Sequence, residues 1–327
     1  MQPHLLVTLT RSGLAESEHR GAYCVLRRGR VERSRGDVDA PTFFRSSCKP
    51  VQALAVVESG AADRFGLTEE ELALTVGSHD GSPHHAGRAE SILRKAGAGA
   101  ELLRCGGHPP LGKETAEEYL RKGLQPGRIH DNCSGKHAGM IAAARALGTD
   151  PASYADPAHP VQRRNLENIA LYAGMERAEV RVGTDGCAAP TFAVPLRAMA
   201  LLAARAADPY DLPDAKAAAS RRIRDAVVRY PDMIAGPKRF DTRVIRAGKG
   251  RLLSKMGAEG VLLIGVVGER LGIAIKIADG GERAVNAVAA ALLVEFGFVE
   301  RADLADYFER RVLTREGTPV GEVQVAL

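Results

Sequence analysis

The spacing of apolar and polar positions changes character twice along the chain. Residues 4–10 (HLLVTLT) and 22–32 (AYCVLRRGRVE) are rich in β-forming residues and are separated by polar, turn-like residues, which predicts strands. Toward the other end, GRLLSKMG is a short strand candidate, and residues 260–280 (GVLLIGVVGERLGIAIKIADG) read as two strands around a tight Gly-Glu-Arg connection. Between these ends the apolar spacing becomes three and four. PVQALAVVESG, SPHHAGRAESILRKAG, SGKHAGMIAAARALG, PVQRRNLENIALYAG and TFAVPLRAMALLAARAA each predict a helix, and several stop at a glycine. Residues 281–297 predict one more long helix after the last strand. The expected fold class is α/β: an antiparallel sheet built from both ends of the chain and flanked by helices, with an all-α domain inserted in the middle. Residues 1–45 and 236–327 would form the sheet domain and residues 46–235 the mainly helical one, with the active site between them.

Composition narrows the function classes. The 327 residues, 45% hydrophobic and 26% charged, can bury a large core, and the length suits two domains or one large α/β unit. A net charge of +5 would permit a nucleic-acid partner. The basic run RRGRVERSR (27–35), however, holds no aromatic residue to stack on bases and reads as a charged hairpin turn and its flank. In RRIRDAVVRY (221–230) the arginines alternate with a helical apolar stripe, so no nucleic-acid partner is expected. No stretch reaches about 20 apolar residues, and MQPHLLVTLTRSG lacks the basic start and long apolar segment of a signal peptide. A cytoplasmic protein with no membrane partner is expected. Five cysteines without a CxxC pair point to reduced thiols and away from a disulfide framework.

The candidate chemistry begins at FFRSSCKPVQ. Ser46 and Lys49 are three apart at the start of the helix that Pro50 helps open, so they share one helical face. A desolvated lysine beside the positive end of a helix gives up its proton more readily and can then take one from a serine. Ser-x-x-Lys is common by chance, but a second element supports it. LLSKMGAEG places Lys255 near the end of a predicted strand, two residues before a glycine, like the Lys-x-Gly strand that accompanies Ser-x-x-Lys in penicillin-binding proteins and serine β-lactamases. Two lysines facing one serine would lower each other's proton affinity by like-charge repulsion.

Three loops are dense in reactive residues. TVGSHDGSPHH (75–85) offers Ser78, His79 and Asp80 at a bend into a helix. IHDNCSGKHAGM (129–140) puts Cys133 at or just before a helix N-terminus, and VGTDGCAAPTF (182–192) puts Asp185 and Cys187 in a glycine-flanked turn before another helix. A single cysteine is more often a small buried hydrophobe, whereas two in separate polar loops shift the reading toward a metal.

Taken together, FRSSCKP, VGSHDG, HDNCSGKHAGM, GTDGCAAPTFAVPL and SKMGAEGV resemble the rhizobial-type, or class 3, L-asparaginases, which share the fold of serine β-lactamases and bacterial glutaminases. The likeness is colinear over roughly residues 43–280. It implies hydrolysis of L-asparagine to L-aspartate and ammonia through an acyl-enzyme, in a homodimer. It also implies two Ser-Lys pairs, Ser46 with Lys49 and Ser78 with Lys255, and a Zn2+ site near the substrate formed by Cys133, Lys136 and Cys187. Arg45, His79 and Asp185 would contact the substrate or support it. Lysine is an unusual metal ligand because it must first be deprotonated, which keeps His137 open as an alternative to Lys136. Cys48, inside the Ser-x-x-Lys motif, has no role in this picture. A β-lactamase, peptidase-like or glutaminase-type serine amidohydrolase would use the same Ser46 and Lys49. A non-catalytic zinc- or nucleic-acid-binding protein would use the cysteines and arginines and leave Ser46 idle.

Overall fold

Strict alternation along one strand sets the architecture, which a computed structural model describes for residues 3–327. In β2 (Leu14–Arg27), Ala22, Cys24 and Leu26 enter one apolar core while Tyr23 and Val25 enter another. A strand with apolar residues on both faces must be covered on both sides. Its neighbours follow suit. β7 (Leu252–Gly257), β8 (Val261–Val266) and β9 (Leu271–Ile277) are almost wholly buried. In β8, Val261 and Leu263 point to the first core, and Leu262, Ile264 and Val266 point to the second.

With β1 (His4–Arg11) and β3 (Arg30–Arg35), and the late strands β10 (Arg311–Leu313) and β11 (Pro319–Val325), these form an eight-stranded antiparallel sheet of order β10-β11-β1-β2-β9-β8-β7. β3 pairs with β2 off that path, and its tight turn at Arg28-Gly29 is the charged hairpin expected from the sequence. A smaller sheet of order β4-β6-β5 is formed by β4 (Pro41–Phe43), β5 (Arg181–Thr184) and β6 (Pro190–Pro195).

Helix Glu282–Glu295 covers one face of the large sheet, and helix Leu196–Ala207 lies on the other, against β2, β8 and β9. The second helix approaches unusually closely. Gly265 of β8 and Gly272 of β9 are paired across the ladder, and a Cβ on either would meet helix backbone: Ala203 O at 2.2 Å and Ala200 O at 1.9 Å, respectively. The alanines of LRAMALLAARAA suit such a contact, because a small side chain lets backbones approach. Helix Phe240–Ala247 joins the second core, and the helices packed beyond Leu196–Ala207 carry two of the three reactive loops, the third lying between β5 and β6.

Several sequence expectations change. The chain does not end on a helix, since β10 and β11 follow and β11 pairs with β1 (Val7 opposite Val325). Only Val323 of these strands is buried, so their apolar pattern is too weak to announce them. TFAVPLRAMALLAARAA is not one helix: Pro190–Pro195 is a strand that ends at Pro195, the residue that caps the following helix. The turn holding Asp185 and Cys187 therefore joins two strands, β5 and β6, and does not lead directly into a helix. PVQALAVVESG is likewise broken, into helical segments Lys49–Gln52 and Leu54–Glu58, and a 3-10 turn, Arg45–Cys48, precedes it. No helix among the described residues is long and apolar enough to cross a membrane.

Candidate active site

Four chain segments converge between the large sheet and the helices. The first is the Arg45–Cys48 turn, entered through a left-handed Arg45 (φ 50°), a conformation that residues other than glycine seldom adopt. The second is the loop after helix Glu69–Thr75. Thr68 and Glu71 close a reciprocal cap on that helix (3.2 and 2.7 Å), which fixes where Gly77 and Ser78 emerge. The third is Asn132 and Cys133, at the start of helix Ser134–Ala146, with Cys133 as its N-cap as the sequence predicted. The fourth is Lys255 on β7.

Ser78 sits between the two lysines. Lys49 Nζ is 2.9 Å and Lys255 Nζ is 3.0 Å from Ser78 Oγ. Lys49 also donates to Gly77 O and contacts Cys133 Sγ at 3.2 Å, and Lys255 donates to Met256 O at 2.7 Å. The expected pairing of Ser78 with Lys255 is therefore present. Lys49 is turned toward Ser78, and Ser46 is not among its hydrogen-bond partners. The 3-10 turn Arg45–Cys48 ends where Lys49 begins the next helical segment, and the Lys49 amine is taken up by Gly77 O and Ser78 Oγ of the neighbouring loop. Both lysines are buried, at 0% and 1% exposure. Burial lowers the Lys255 pKa from 10.5 to about 7, opposed by Asp241 and reinforced by Lys49. The dominant cause is therefore desolvation and not the like-charge repulsion that the sequence suggested.

Ser46, Ser78 and Lys255 open onto one cavity of about 220 Å³, shared with Asn132, Arg239 and Asp241. Sequence reasoning missed these last three. The signal was there, since RFD follows a Gly-Pro break and opens the helix Phe240–Ala247, but an Arg-x-Asp at a helix start carries no motif of its own. Arg239 pairs with Asp80 at 3.3 Å.

His79 is not brought to this cavity. It is fully buried, its Nδ1 accepts from the Gly81 N–H (3.1 Å), and its Nε2 lies 3.0 Å from Ser134 Oγ. Burial holds its pKa well below the usual histidine value, so the ring is a neutral tie within the loop. Arg45 and Asp185 instead hold each other, with Nε donating to Oδ1 at 2.8 Å, and so link the Ser46 turn to the β5-β6 hairpin. Burial would raise the Asp185 carboxyl, but Lys136 and Arg45 keep it below the usual range.

Cys133, Lys136 and Cys187 are buried together, with Lys136 Nζ 3.1 Å from Cys187 Sγ. A hydrogen bond from Cys133 holds the Cys187 thiol down at about 5 and pushes Cys133 up to about 11. Burial alone would favour a neutral Lys136, but the two sulfurs and Asp185 outweigh it and hold the ammonium. Two sulfurs, one of them already a thiolate, and an amine are donors that a borderline-soft cation such as Zn2+ accepts, provided Lys136 loses its proton. No group of three His, Cys, Asp or Glu side chains among the described residues is arranged for a metal, and the fully buried His137 keeps its Nε2 without a hydrogen-bond partner. Its Nδ1 is paired with Tyr154 Oη. Cys48 is buried, its thiol raised by burial to about 12, which makes it unreactive.

Solved structures of a protein named Mglu bear a distant likeness to this chain. Mglu in its native form is 16% identical with a TM-score of 0.47, over 88% of this chain and 66% of that one. Mglu in its tris and glutamate form is 16% identical with a TM-score of 0.45, over 90% of this chain and 63% of that one. These are remote likenesses, and no curated protein matches significantly. The family model for L-asparaginase II, by contrast, matches residues 7–325 and so runs through every segment that lines the cavity of Ser46, Ser78 and Lys255. The chain belongs to the L-asparaginase II family, and with it to the amidohydrolases that act on L-asparagine.

Proposed function

We propose that the chain hydrolyses L-asparagine to L-aspartate and ammonia by acyl transfer to Ser46, with Lys49, Ser78 and Lys255 as one proton-carrying chain. The observation that supports this most is Ser78 held between two buried lysines at the edge of a cavity that Ser46 also lines. A hydroxyl oxygen has two lone pairs, and both are engaged when two amines donate to it. Its own O–H is then left to point outward, which suits a proton donor to a leaving group better than a nucleophile. The Ser46 hydroxyl carries no such load. It attacks the side-chain amide carbon and gives its proton to the free-base amine of Lys255, which lines the same cavity. The Ser46 N–H, in the first turn of its 3-10 helix, is one donor to the oxyanion. Collapse returns a proton through Ser78 to the departing ammonia, and water then cleaves the aspartyl ester.

A Zn2+ ion held by Cys133, Lys136 and Cys187 would act as a Lewis acid beside the cavity and favour substrate binding. In the protein itself, Asp185 and Arg45 keep the β5-β6 hairpin, and so Cys187, against the Ser46 turn. Association into a homodimer and a cytoplasmic location are part of the same reading.

A second reading has its own observation, because Ser78 is the serine that the lysines touch and two amines would stabilise its alkoxide. Mass spectrometry of reactions quenched with asparagine in Ser46→Ala and Ser78→Ala separates the two. An aspartyl ester that persists on Ser78 in Ser46→Ala would replace the first reading with the second.

A further inference from the structure

We infer that Asp241 is a positioning residue for the amide hydrolysis: it clamps three consecutive residues of β7 and so aims the Lys255 amine at Ser78. The geometry is specific. Asp241 is buried in the first turn of helix Phe240–Ala247, where the positive end of the helix favours a carboxylate. Its Oδ1 accepts from Ser254 Oγ at 2.7 Å, and its Oδ2 accepts from the Met256 N–H at 2.9 Å. The residue between them, Lys255, has its amine 3.7 Å from the same Oδ2.

A carboxylate spends both oxygens on a strand only where the strand gains something that its own ladder does not supply. β7 pairs with β8 through all six residues, from Leu252 opposite Val266 to Gly257 opposite Val261. As the last strand of the sheet order it has no partner strand on its other side among the described residues, and the Met256 N–H donates to Asp241 there. The helix thereby fixes the rotation and reach of the one β7 side chain that the mechanism uses. The carboxylate also opposes the burial that drives the Lys255 proton off. The other groups acting on Lys255 are Lys49 from the Ser46 segment, Arg239 just before the Asp241 helix, and Cys133 from the third segment. Asp241 is the carboxylate of that set, so neutralising it must make the Lys255 ammonium less stable.

This inference rests on the proposed role of Lys255, and the test is built to separate the two. Asp241→Asn keeps the shape, removes the charge, and turns an N–H toward one of the two donors it must accept. Two quantities are read across pH 5 to 10: kcat and KM for asparagine, and acetic anhydride labelling of the Lys255 amine, quantified by peptide mass spectrometry. The lower limb of the rate profile and the labelling midpoint should both move to lower pH, by about half a unit or more. At the plateau kcat should fall about tenfold with little change in KM. A residue that merely braced the fold would lower stability without moving either midpoint. Ser254→Ala provides the second arm, because it removes one anchor and keeps the charge. It should lower plateau kcat by about threefold or more and leave the midpoint in place.

Unmoved midpoints in Asp241→Asn overturn the inference. So does undiminished turnover in Ser254→Ala, even if Asp241→Asn cannot be purified. Lys255→Met is run in parallel: full activity there would remove the role of Lys255 itself. Its inactivity, combined with unmoved midpoints in Asp241→Asn, would overturn the Asp241 inference alone.

Discussion

The buried lysine on β7 should leave a mark on stability that does not depend on catalysis at all. In the folded protein its pKa is about 7, against an ordinary value of 10.5. Between those two values the unfolded chain binds a proton that the folded chain lacks, so this residue makes stability rise with pH across that window. Below about pH 7 both states are protonated, and the full difference, about 5 kcal/mol, weighs against folding. At pH 9 the remaining cost is about 2 kcal/mol, and above 10.5 it vanishes. Lys255→Met removes the titrating group while keeping a side chain of similar length. The variant loses the hydrogen bonds to Ser78 and the Met256 carbonyl, but those losses are the same at both pH values and cancel in the comparison. Urea unfolding of wild type and Lys255→Met at pH 6 and pH 9 should therefore show the variant gaining about 3 kcal/mol more, relative to wild type, at the lower pH. A difference between the two proteins that is flat from pH 6 to pH 9 would refute the depressed lysine, and with it the free amine on which the proposed chemistry depends.

The same titration should appear in kinetics as a rise of kcat/KM with an apparent pKa near 7, that of Lys255; a profile flat from pH 5.5 to 9 would contradict it. Ser46→Ala and Ser78→Ala should each lower asparagine hydrolysis by about three orders of magnitude or more with the fold intact by circular dichroism, and retention of a tenth of the activity in either would remove that serine from the mechanism. Cys133→Ser and Cys187→Ser should raise KM more than they lower kcat, and should abolish stoichiometric zinc binding measured by atomic absorption. Gly272→Ala should destabilise by about 3 kcal/mol, because its Cβ meets helix backbone at 1.9 Å and backbone cannot step aside; an unchanged urea midpoint would refute the close helix contact.

The parts of this molecule that were legible in its sequence are those written in local pattern. The β8-β9 hairpin could be read because two fully apolar runs flank a Gly-Glu-Arg turn, and the Cys133 helix start because a loop rich in Asp, Asn and Ser precedes an unbroken alanine-rich helix. The family resemblance rested on five such motifs and held over nearly the whole chain. What escaped was set by tertiary contact. β10 and β11 exist because β1 offers them an edge, and their own residues are mostly exposed. Lys49 could be nominated from its spacing to Ser46, yet its hydrogen-bond partner is Ser78, 29 residues away, which the loop after helix Glu69–Thr75 brings to it. His79 has the composition of a substrate ligand and the surroundings of a loop tie. Asp241 bears on Lys255 through a strand edge, a relation that no periodicity records.

The pairing of β2 with β9, and of β1 with β11, bears on how the chain is made. On a ribosome β1 and β2 emerge well before their partners, and more than two hundred residues must follow before β9 and then β11 arrive to pair with them. Until then a long apolar strand, Ala22 to Leu26 included, waits with an open edge, the kind of surface that recruits other chains. Ser78 meets Lys255 only across 177 residues, so no early fragment can hold a competent site. Slow synthesis at low temperature and a holding chaperone should therefore raise the yield of active protein more than that of total protein.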